Sequence, residues 1–500
     1  MNKNQAQTRK PASTTASQNL DIVIYGHSIA AFVSALTIHN ALAGRVTLSL
    51  ILPADQTHSD ILYGGTATPD AYNLHLAMGI TEAQLLQHTN SSFSFGTHYQ
   101  NWTDKKFDWI QAFNLPFTSK LGIDFHQVLL KHNQDIQPYL AGAQSALQHK
   151  FAHPPQNQPA LPLSRAEYGY NFDYQNYALF LLNEIIQRKI NLIQSDLLEV
   201  EVEDEHIARL RLNDDSSIEA DLFIDCSGPD AKLISALDVK KQGDSRINVS
   251  LLTHENDRKM KPCNQISGHG DSWQSTLYLQ DSSQVLQAVS DKDASEKVEH
   301  SVNSVTSISV NIGYQEQAWV GNCVAMSLSA AVLEPFSNAP FRLLKLDIER
   351  LLELIPISNN MQLEQKEYNR RYKLDVQHAA LFNLALTDTR HVLQDSHAKK
   401  NQLIDSETQA LLDRKLVQYL HRGLIVSYDL EPFYAEDWVI LHFGMQRFPR
   451  RLNSLCDNID NTGVKQHLLQ TQNAIAAMVA KMPPCSLYTE KFLNYLKRQA

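Results

Sequence analysis

Runs of apolar residues separated by short polar breaks predict alternating strands and helices near the start of the chain. Asp21–Tyr25 predicts a short buried strand, Ile29–Asn40 an apolar helix and Arg45–Leu52 a second strand. Strand, helix and strand in this order form a βαβ unit, the first repeat of an open α/β sheet. Gly26 stands between the first strand and the helix, where it supplies a tight turn.

The same alternation returns further along the chain, interrupted by a polar segment at 240–306 whose pattern predicts β structure. From residue 362 onward the apolar spacing is mainly helical. Separated α/β segments around a β-rich insert predict a core assembled from distant parts of the chain. The other predicted elements are a helix at 177–189, a strand at 191–194, a hairpin at 198–202 and 206–212, strands at 220–225 and 318–326, and a helix at 341–355.

The composition is that of a folded globular protein, with 43% hydrophobic and 20% charged residues. The net charge of −10 argues against a general affinity for nucleic acid or anionic membrane and favours a small-molecule enzyme. No apolar run approaches the roughly 18 residues that a membrane span needs. The five cysteines are scattered without a CxxC pair, which predicts free thiols in a cytoplasmic protein and no metal site.

The turn after the first strand has the positions of a dinucleotide-binding motif but not all of its glycines. Such a motif carries three small residues, and here they are Gly26, Ser28 and Ala31. Ser28 is expected to place a side chain where a phosphate normally meets bare backbone. The helix N-terminus still offers an anion the amides of His27, Ile29 and Ala30.

Two further features weaken this motif. The acidic ribose ligand expected at the end of the second strand is absent, since Leu52 and Pro53 stand there. The whole chain has only 18 glycines in 500 residues, about half the usual share. The motif alone therefore does not separate a nucleotide site from an ordinary strand–turn–helix.

Eight segments add weight to the motif because they stand in a fixed order: Gly64–Pro69, Asn90–Trp102, Tyr168–Asp173, Ala220–Gly228, Trp319–Ala325, Leu333–Pro335, Glu367–Arg370 and Met482–Pro483. The series resembles the flavin-dependent tryptophan halogenases from Asp21 to about Tyr495. The fourth and fifth segments, Ala220–Gly228 and Trp319–Ala325, are shared in kind with other FAD monooxygenases. Asn90–Trp102 and Leu333–Pro335 are more particular to halogenases.

The resemblance implies an α/β fold with an FAD-binding, Rossmann-like core of the flavin monooxygenase type, a β-rich substrate insert and a helical C-terminal region. It implies FAD, reduced by a separate flavin reductase, and oxidation or halogenation of a small indole-like or other aromatic substrate through a flavin hydroperoxide. By position, the expected cofactor contacts are Gly26, His27, Ser28, Ile29, Ala30, Leu197 and Leu328.

The domain boundaries follow from the same resemblance and from the polar start of the chain. We predict a disordered tail at 1–19 and a helical C-terminal region at 361–500. Between them, the discontinuous FAD-binding core occupies about 20–85, 160–235 and 310–360, and the substrate-domain inserts occupy about 86–159 and 236–309.

The resemblance also locates the reactive positions, and there the chain departs from the family. The family's catalytic lysine and glutamate correspond to Ser94 and Ser337. A serine hydroxyl is short and neutral, so it replaces neither the amine nor the carboxylate. The halide of the family is held by two successive backbone N–H groups, which correspond here to Ala339 and Pro340; proline has no N–H.

Other family positions have changed as well. Two family histidines match Asn383 and Cys485, and the WxWxIP signature keeps only its first tryptophan, Trp273. Glu334 matches the structural glutamate of the Glu-Pro pair. These departures leave three hypotheses open: a halogenase-like flavoprotein with doubtful conventional halogenation, an FAD monooxygenase that does not halogenate, and a catalytically silent flavin- or substrate-binding partner.

Several remaining patterns have structural interpretations. His149 and His153 have the i, i+4 spacing of a helix face, without a carboxylate that would complete a metal site. The clusters Arg370–Arg371 and Arg447 with Arg450–Arg451 are interpreted as solvated helix faces rather than as sites for an anionic ligand or a reductase. The tryptophans either line an aromatic chamber or pack in the core, and core packing is favoured for Trp319.

Overall fold

A computed structural model describes residues 19–55, 58–103, 107–115, 122–255, 260–269, 272–290, 305–355, 361–388 and 406–499. The predicted tail therefore lies outside the described residues except for its last position. The described strands are β1 Leu20–Tyr25, β2 Val46–Leu52, β3 Thr66–Ala67, β4 Ser92–Ser94, β5 Gly96–Gln100, β6 Trp109–Ala112, β7 Gly169–Asn171, β8 Asn191–Gln194, β9 Leu197–Glu203, β10 His206–Leu212, β11 Ser217–Ile218, β12 Leu222–Asp225, β13 Lys241–Glu255, β14 Asn264–His269, β15 Ser272–Tyr278, β16 Ser282–Ser290, β17 Val305–Gln315, β18 Trp319–Val320, β19 Cys323–Ala325 and β20 Ala331–Val332.

Within the described residues, helices alternate with these strands in the first half of the chain and dominate its second half. They are α1 Ile29–Ala41, α2 Ala71–Ala77, α3 Glu82–His88, α4 Phe125–Lys131, α5 Ala141–Leu147, α6 Tyr174–Gln187, α7 Ala339–Leu354, α8 Gln362–Thr387, α9 Ser406–Arg422, α10 Ala435–Gly444, α11 Asn461–Lys481 and α12 Cys485–Gln499. The helical prediction for the C-terminal region is confirmed. Within the described ranges, no helix combines the length and the apolar character that crossing a membrane requires.

The predicted βαβ unit is confirmed and lies at the centre of a six-stranded sheet. The strand order is β18-β19-β12-β1-β2-β8, and all neighbours are parallel except β18 and β19. The inner strands are buried on both faces, which is why they read as continuous apolar runs. Helices α1 and α6 pack against each other. The predicted nucleotide turn directly follows the C-terminal end of β1 and therefore lies at the carboxyl edge of the sheet.

One predicted strand of the core is divided. The apolar segment 318–326 forms two short antiparallel strands, β18 and β19, rather than one strand. Gly321 makes the turn between them with a φ of +55°, and a Cβ there would lie 2.2 Å from the carbonyl oxygen of Glu205. The Gly321-Asn322 pair is the turn signal in this segment, but it stands inside an otherwise apolar run from Ala318 to Met326, which on periodicity alone predicts one continuous strand.

The two predicted inserts share one sheet. Its order is β20-β17-β13-β16-β15-β14-β5-β6, so strands from residues 96–112 continue the sheet built by residues 241–315. The join is the parallel pair β14 and β5, in which Ile266 lies opposite Tyr99. The β-rich prediction for 240–306 is confirmed for its described residues. The proposed boundaries between core and inserts stay predictions.

The helical region closes over this sheet. Helix α8 packs along α7, α10 contacts β6, and α11 contacts α5. The architecture is thus the predicted α/β core with a β-rich insert and a helical C-terminal region. The positions expected to serve catalysis, Ser94 and Ser337, lie between the large sheet and the helices, while the turn expected to bind the nucleotide lies at the edge of the parallel sheet.

Three smaller interpretations are tested by the fold. His149 and His153 do not share a helix face, because α5 ends at Leu147 and His149 has a φ of +55°. Arg447 is not part of a solvated face: it is fully buried and its guanidinium donates 2.6 Å to the carbonyl of Ala385. Trp319 is a core residue, as favoured. Among the described residues, no cluster suited to a metal ion occurs and all five cysteines are free and buried.

Candidate functional site

Gly26 forms the turn that brings β1 and β12 close together. Its φ is +149°, and a Cβ built on it would lie 2.3 Å from the carbonyl oxygen of Cys226. Its N–H donates to the carbonyl of Ile51 at 3.1 Å. Only glycine fits this conformation and this distance, so the first position of the predicted motif has the geometry that the motif requires.

Ser28 differs from the expectation that its side chain would face a phosphate. It is the N-cap of α1, and its hydroxyl donates to the carbonyl of Cys226 at 2.9 Å while accepting from the N–H of Ala31 at 3.3 Å. The side chain therefore turns into the protein. The physical reason is that the buried Cys226 carbonyl and the first turn of α1 both need partners, and one hydroxyl serves both.

The carboxyl edge of β1, β2 and β8 borders a cavity of about 480 Å³. Its walls include His27, Leu52, Pro53 and Asp196. Asp196 follows β8, and its carboxylate accepts from the N–H of Ala54 at 2.9 Å. An acid thus stands beside the end of β2 after all, supplied by a neighbouring strand. No local pattern in the sequence indicates this acid, since the parallel pairing of β2 with β8 is a long-range contact.

This cavity has the position and the groups of an adenosine site. In doubly wound sheets the nucleotide binds at the carboxyl edge, and an acid near the second strand receives the ribose hydroxyls. His27 stays close to the second strand through Nδ1, which lies 3.0 Å from the carbonyl oxygen of Pro53. Leu197 begins β9 directly after Asp196, so it lies at this end of the site. The residues present here fit the adenosine part of a dinucleotide.

The start of α1 does not fit the phosphates of that dinucleotide in this conformation. Both carboxylate oxygens of Asp60 lie against the N–H of Ile29, at 3.1 and 3.2 Å. Asp60 belongs to the short 3-10 helix His58–Tyr63, and burial raises its pKa to about 7 although the Ile29 N–H lowers it. Sequence reasoning missed Asp60. Its nearness to the Gly64–Pro69 segment was the only available signal.

Leu328 lies in a 3-10 turn at Ser327–Ser329, which contacts the His58–Tyr63 turn that carries Asp60. Ser327 has a φ of +56°, a conformation that costs a non-glycine residue about 1 kcal/mol or more. Its N–H donates to Asp347 at 2.8 Å, and its hydroxyl lies 2.7 Å from that of Tyr63. Asp347 is itself paired with Arg350 at 2.7 Å. This buried network holds the strained turn in place.

Ser94 is fully buried at the end of β4. Its hydroxyl donates to the carbonyl of Gly96 at 3.2 Å and accepts from the Gly96 N–H at 3.3 Å. Gly96 itself cannot carry a side chain, because a Cβ would lie 2.2 Å from the carbonyl oxygen of Gln111. The Ser94 hydroxyl therefore stabilises a tight turn between β4 and β5.

Ser337 and Asn383, which were considered separately in the sequence, form a hydrogen-bonded pair. The Ser337 hydroxyl donates to Oδ1 of Asn383 at 2.5 Å, and Nδ2 of Asn383 donates to the carbonyl of Glu334 at 3.0 Å. The Glu334 carboxylate accepts from Nε1 of Trp273 at 2.9 Å. The positions of the family's glutamate and of one family histidine thus meet in one buried network. Cys485 is elsewhere, at the start of α12.

The two backbone positions expected to hold a halide open α7. Pro340 has no N–H, and the Ala339 N–H donates to the Ser337 hydroxyl at 3.2 Å. Neither position therefore presents an N–H to an anion in this conformation. Ser337, at the position of the family's glutamate, thus accepts the N–H of Ala339 that the family would offer to a halide.

Aromatic rings surround this network from the side of the large sheet. Phe336 is 5.5 Å from Trp102 and 6.1 Å from Trp273 between ring centroids, and its carbonyl accepts from the Tyr99 hydroxyl at 2.7 Å. Trp273 is fully buried, whereas Trp102 is partly buried. Two of the five tryptophans thus stand next to the Ser337 network.

A second cavity, of about 520 Å³, opens between the core and α10. It shares Phe113, Asn114 and Glu167 with a narrow crevice that reaches Phe95, the neighbour of Ser94. Burial raises the pKa of Glu167. The cavity is lined by Thr68, Pro69, Asp70, Phe113, Asn114, Leu115, Glu167, Arg342, Tyr434, Ala435 and Glu436. The sequence did not predict this cavity, because its walls come from five distant segments.

Comparisons with known proteins agree with this geometry. The family model described as "Tryptophan halogenase" matches residues 21–461. Tryptophan 7-halogenase KtzQ of Kutzneria sp. (strain 744) is 23% identical over 424 residues, covering 77% of this chain and 77% of that protein. Tryptophan 6-halogenase SttH of Streptomyces toxytricini is 22% identical over 382 residues, covering 67% of this chain and 72% of that protein.

Solved structures share the fold at low sequence identity. BrvH, a flavin-dependent halogenase from Brevundimonas sp. BAL3, superposes with a TM-score of 0.84 at 21% identity, covering 95% of this chain and 100% of that chain. Xcc4156, a flavin-dependent halogenase from Xanthomonas campestris, has a TM-score of 0.83 at 20% identity, with 95% and 98% covered.

Proposed function

Because this chain belongs to the tryptophan halogenase family, we propose that it is a flavin-dependent enzyme that oxidises a small indole-like or other aromatic compound. FAD is the proposed cofactor, reduced by a separate flavin reductase. The adenosine-sized cavity beside Asp196 is the observation that carries the cofactor proposal. Free buried thiols fit the proposed cytoplasmic location.

We place the aromatic substrate in the 520 Å³ cavity beside Phe113. Its volume lies in the range of small-molecule sites. Its connection to Phe95 leads toward Ser94, the position of the family's lysine. Asp70 is paired with Lys345 at 3.3 Å and Arg342 with Asp437 at 3.4 Å, which leaves Glu167 and Glu436 as the carboxylates of the lining that no cation of the lining offsets. This charge pattern favours a neutral or amine-bearing aromatic compound over an anionic one.

The reaction at this cavity is the finer part of the proposal. Ser94 and Ser337 offer neither the amine nor the carboxylate with which the family handles hypohalous acid, so we propose that conventional halogenation is impaired. Each hydroxyl is already bonded within the protein. An oxidation without halide is the second candidate. The observation that favours it is the engaged N–H of Ala339 beside Pro340, which leaves the halide position without a donor.

Product analysis distinguishes these reactions. The full chain is supplied with FAD, a flavin reductase with its reductant, oxygen, bromide and indole, and the products are identified by mass spectrometry. A hydroxylated indole that forms equally with and without bromide is expected for the second candidate. A brominated indole would show that halogenation survives without the lysine and the glutamate. Hydrogen peroxide as the sole product would contradict both reactions and favour a catalytically silent role.

A matched variant ties the product to the cavity. Phe113→Ala enlarges the junction between the cavity and the crevice, and we expect it to raise KM for indole by about tenfold, which corresponds to ~1.4 kcal/mol. Tyr434→Phe, at the rim of the same cavity, removes only a hydroxyl and serves as control. Equal KM values for Phe113→Ala and the unsubstituted chain would place the substrate elsewhere.

A further inference from the structure

The start of α1 carries an anion that belongs to the chain itself. Asp60 is 5% exposed, and both its carboxylate oxygens lie within 3.2 Å of the Ile29 N–H. This N–H is among the first of α1, where no intrahelical acceptor exists and the helix dipole favours negative charge. Dinucleotide-binding folds place a diphosphate at this same end of the first helix. The carboxylate therefore lies at the helix end where such folds bind a phosphate.

A second N–H of the first turn of α1, two residues further on, is also engaged. The Ala31 N–H donates to the Ser28 hydroxyl, and Ile29 and Ser28 are buried. A diphosphate that approached along the usual route would meet a carboxylate at the Ile29 N–H. The repulsion between two anions in a buried place is far larger than it would be in water.

Asp60 is a weakly held anion. Its hydrogen bonds in the structure come from one backbone N–H, and in the described part of the chain no Lys, Arg or His forms an ion pair with it. A buried carboxylate with so few partners is costly to keep charged. It can leave its place, or take up a proton, at less cost than a paired carboxylate.

The surroundings of Asp60 hold few other groups that titrate near neutrality. Tyr63 on the same turn and Tyr174 on α6 both have pKa values raised by burial. Helix α7 contributes Asp347, which is paired with Arg350, and the turn Gly228–Asp230 contributes Asp230. Strands β13 and β17 also pack against the turn, and none of their described side chains forms an ion pair with Asp60. His27, before α1, is the other group to control.

We propose that Asp60 competes with the diphosphate of FAD for the N-terminus of α1, so that FAD binds only when the Asp60 carboxylate leaves the Ile29 N–H or becomes protonated. This inference rests on the proposed use of FAD. It makes cofactor binding conditional in this chain, since the protein must first release an interaction of its own.

The competition gives FAD affinity a defined dependence on pH. Without ligand, burial raises the pKa of Asp60 to about 7. A bound diphosphate disfavours the charged carboxylate further, so binding takes up a proton when the pH is above that value. We therefore expect the affinity for FAD to be highest below pH 7 and to fall by up to about tenfold for each pH unit above it. The FAD diphosphate itself does not titrate in this range.

Asp60→Asn tests the proposal, because it keeps the shape of the side chain and removes its charge. Dissociation constants of the full-length chain are measured by calorimetry for FAD, ADP and riboflavin, at about pH 6 and about pH 8.5. At the higher pH we expect Asp60→Asn to bind FAD and ADP at least about tenfold more tightly than the unsubstituted chain. Riboflavin, which has no phosphate, is expected to bind both chains equally.

Controls separate the charge of Asp60 from other effects. Asp55→Asn removes an exposed carboxylate from the same segment and is expected to leave all three affinities unchanged. Asp60→Ala repeats the charge removal if the asparagine variant folds poorly, and thermal unfolding checks both. His27→Gln in the Asp60→Asn background removes any pH dependence that the imidazole contributes.

The outcomes of the proposal and of the FAD assignment are distinguishable. Equal FAD and ADP affinities in both chains overturn the role of Asp60 while leaving FAD as the cofactor. If FAD and riboflavin bind neither chain, the cofactor assignment fails, and the ADP titration still decides the role of Asp60. ADP that binds neither chain, or binds both alike, overturns the proposal. A gain in riboflavin affinity equal to that of FAD would also overturn it.

Discussion

The proposed nucleotide end is the cavity beside Asp196 with the start of α1, and the proposed substrate end is the buried network of Ser337 and Asn383 with Ser94. The two ends replace the groups that the family has there in different ways. At the nucleotide end, the acid absent from the end of β2 is supplied by Asp196 from the neighbouring strand, and the cavity beside it stays open. At the substrate end, Ser337 and Asn383 bind each other, and Ser94 binds within its own turn. At the first end an acid still borders an open cavity, whereas at the second the polar groups bond to one another and to the backbone.

This difference shows that a buried polar group limits which residues can replace it, because the new residue must also find hydrogen-bond partners. A carboxylate or an imidazole that loses its ligand role stays costly to bury unless it finds a partner. Two short neutral groups that satisfy each other remove that cost, as Ser337 and Asn383 do. Asp60 is the exception at the nucleotide end, because it is charged, buried and held by one N–H. Stability and ligand binding therefore conflict at the nucleotide end, where a buried charge has one partner, and not at the substrate end, where the buried groups satisfy each other.

The largest effect is expected at Gly26, which the nucleotide end requires for its backbone. Gly26→Ala would place a Cβ 2.3 Å from the Cys226 carbonyl oxygen at a φ of +149°. We expect a loss of at least about 4 kcal/mol in the free energy of unfolding, measured by urea denaturation. Gly44→Ala is the control, since its φ is +74° but nothing lies within 4 Å, and its cost should be about 1 kcal/mol. Similar losses in the two variants would contradict a steric role for the turn.

The second effect is the dependence of stability on pH that Asp60 imposes. The pKa of Asp60 is about 7 in the folded chain and lies near 4 in an unfolded one, so the folded state holds more protons between these values. Stability from this group is then full below about pH 4 and is lost as the pH rises toward 7, by roughly 4 kcal/mol at most.

Thermal unfolding of the unsubstituted chain and of Asp60→Asn between about pH 4 and pH 7 measures this contribution. Burial lowers the pKa values of His75 and His442, and these groups act in the opposite direction in both chains. The difference between the two curves therefore isolates Asp60. A difference that does not vary with pH would show that Asp60 is not the titrating group.

The third effect concerns the substrate end. Asn383→Leu would remove the partners of the Ser337 hydroxyl and of the Glu334 carbonyl, and we expect it to cost about 2–4 kcal/mol in the free energy of unfolding. Ser337→Ala should cost about 1 kcal/mol, and the double variant should show a coupling of about 1 kcal/mol between the two positions. Additive losses would mean that the pair does not act as one unit.

The sequence predicted the parts of the fold that depend on local pattern. The βαβ unit, the hairpin at 198–212, the β-rich insert and the C-terminal helices are present because apolar periodicity and turn residues determine them locally. The break at Gly321 was missed, because the Gly321-Asn322 pair stands inside an apolar run and the reason for the glycine is a contact with Glu205, far away in the chain.

The sequence predicted which positions belong to the candidate site, but not the hydrogen bonds that their side chains form. The family resemblance located Ser94, Ser337, Ala339 and Pro340 in the sequence. It gave no indication that the Ser337 hydroxyl would bind the Ala339 N–H, or that Asp60 would bind the start of α1. Both contacts depend on how short loops pack on the core. Loop packing is set by tertiary structure, for which periodicity carries no signal.

The smallest effect is expected at Asp196 and tests whether the nucleotide end still serves a ligand. Asp196→Asn keeps an oxygen that can accept from the Ala54 N–H, so the free energy of unfolding should change by less than about 0.5 kcal/mol. The affinity for adenosine should fall about five- to tenfold, because a ribose hydroxyl loses a charged acceptor. Adenosine carries no phosphate, so Asp60 does not enter this measurement. If adenosine binds both chains equally, Asp196 serves only the loop after β2, and the nucleotide end would then resemble the substrate end in having turned its polar groups inward.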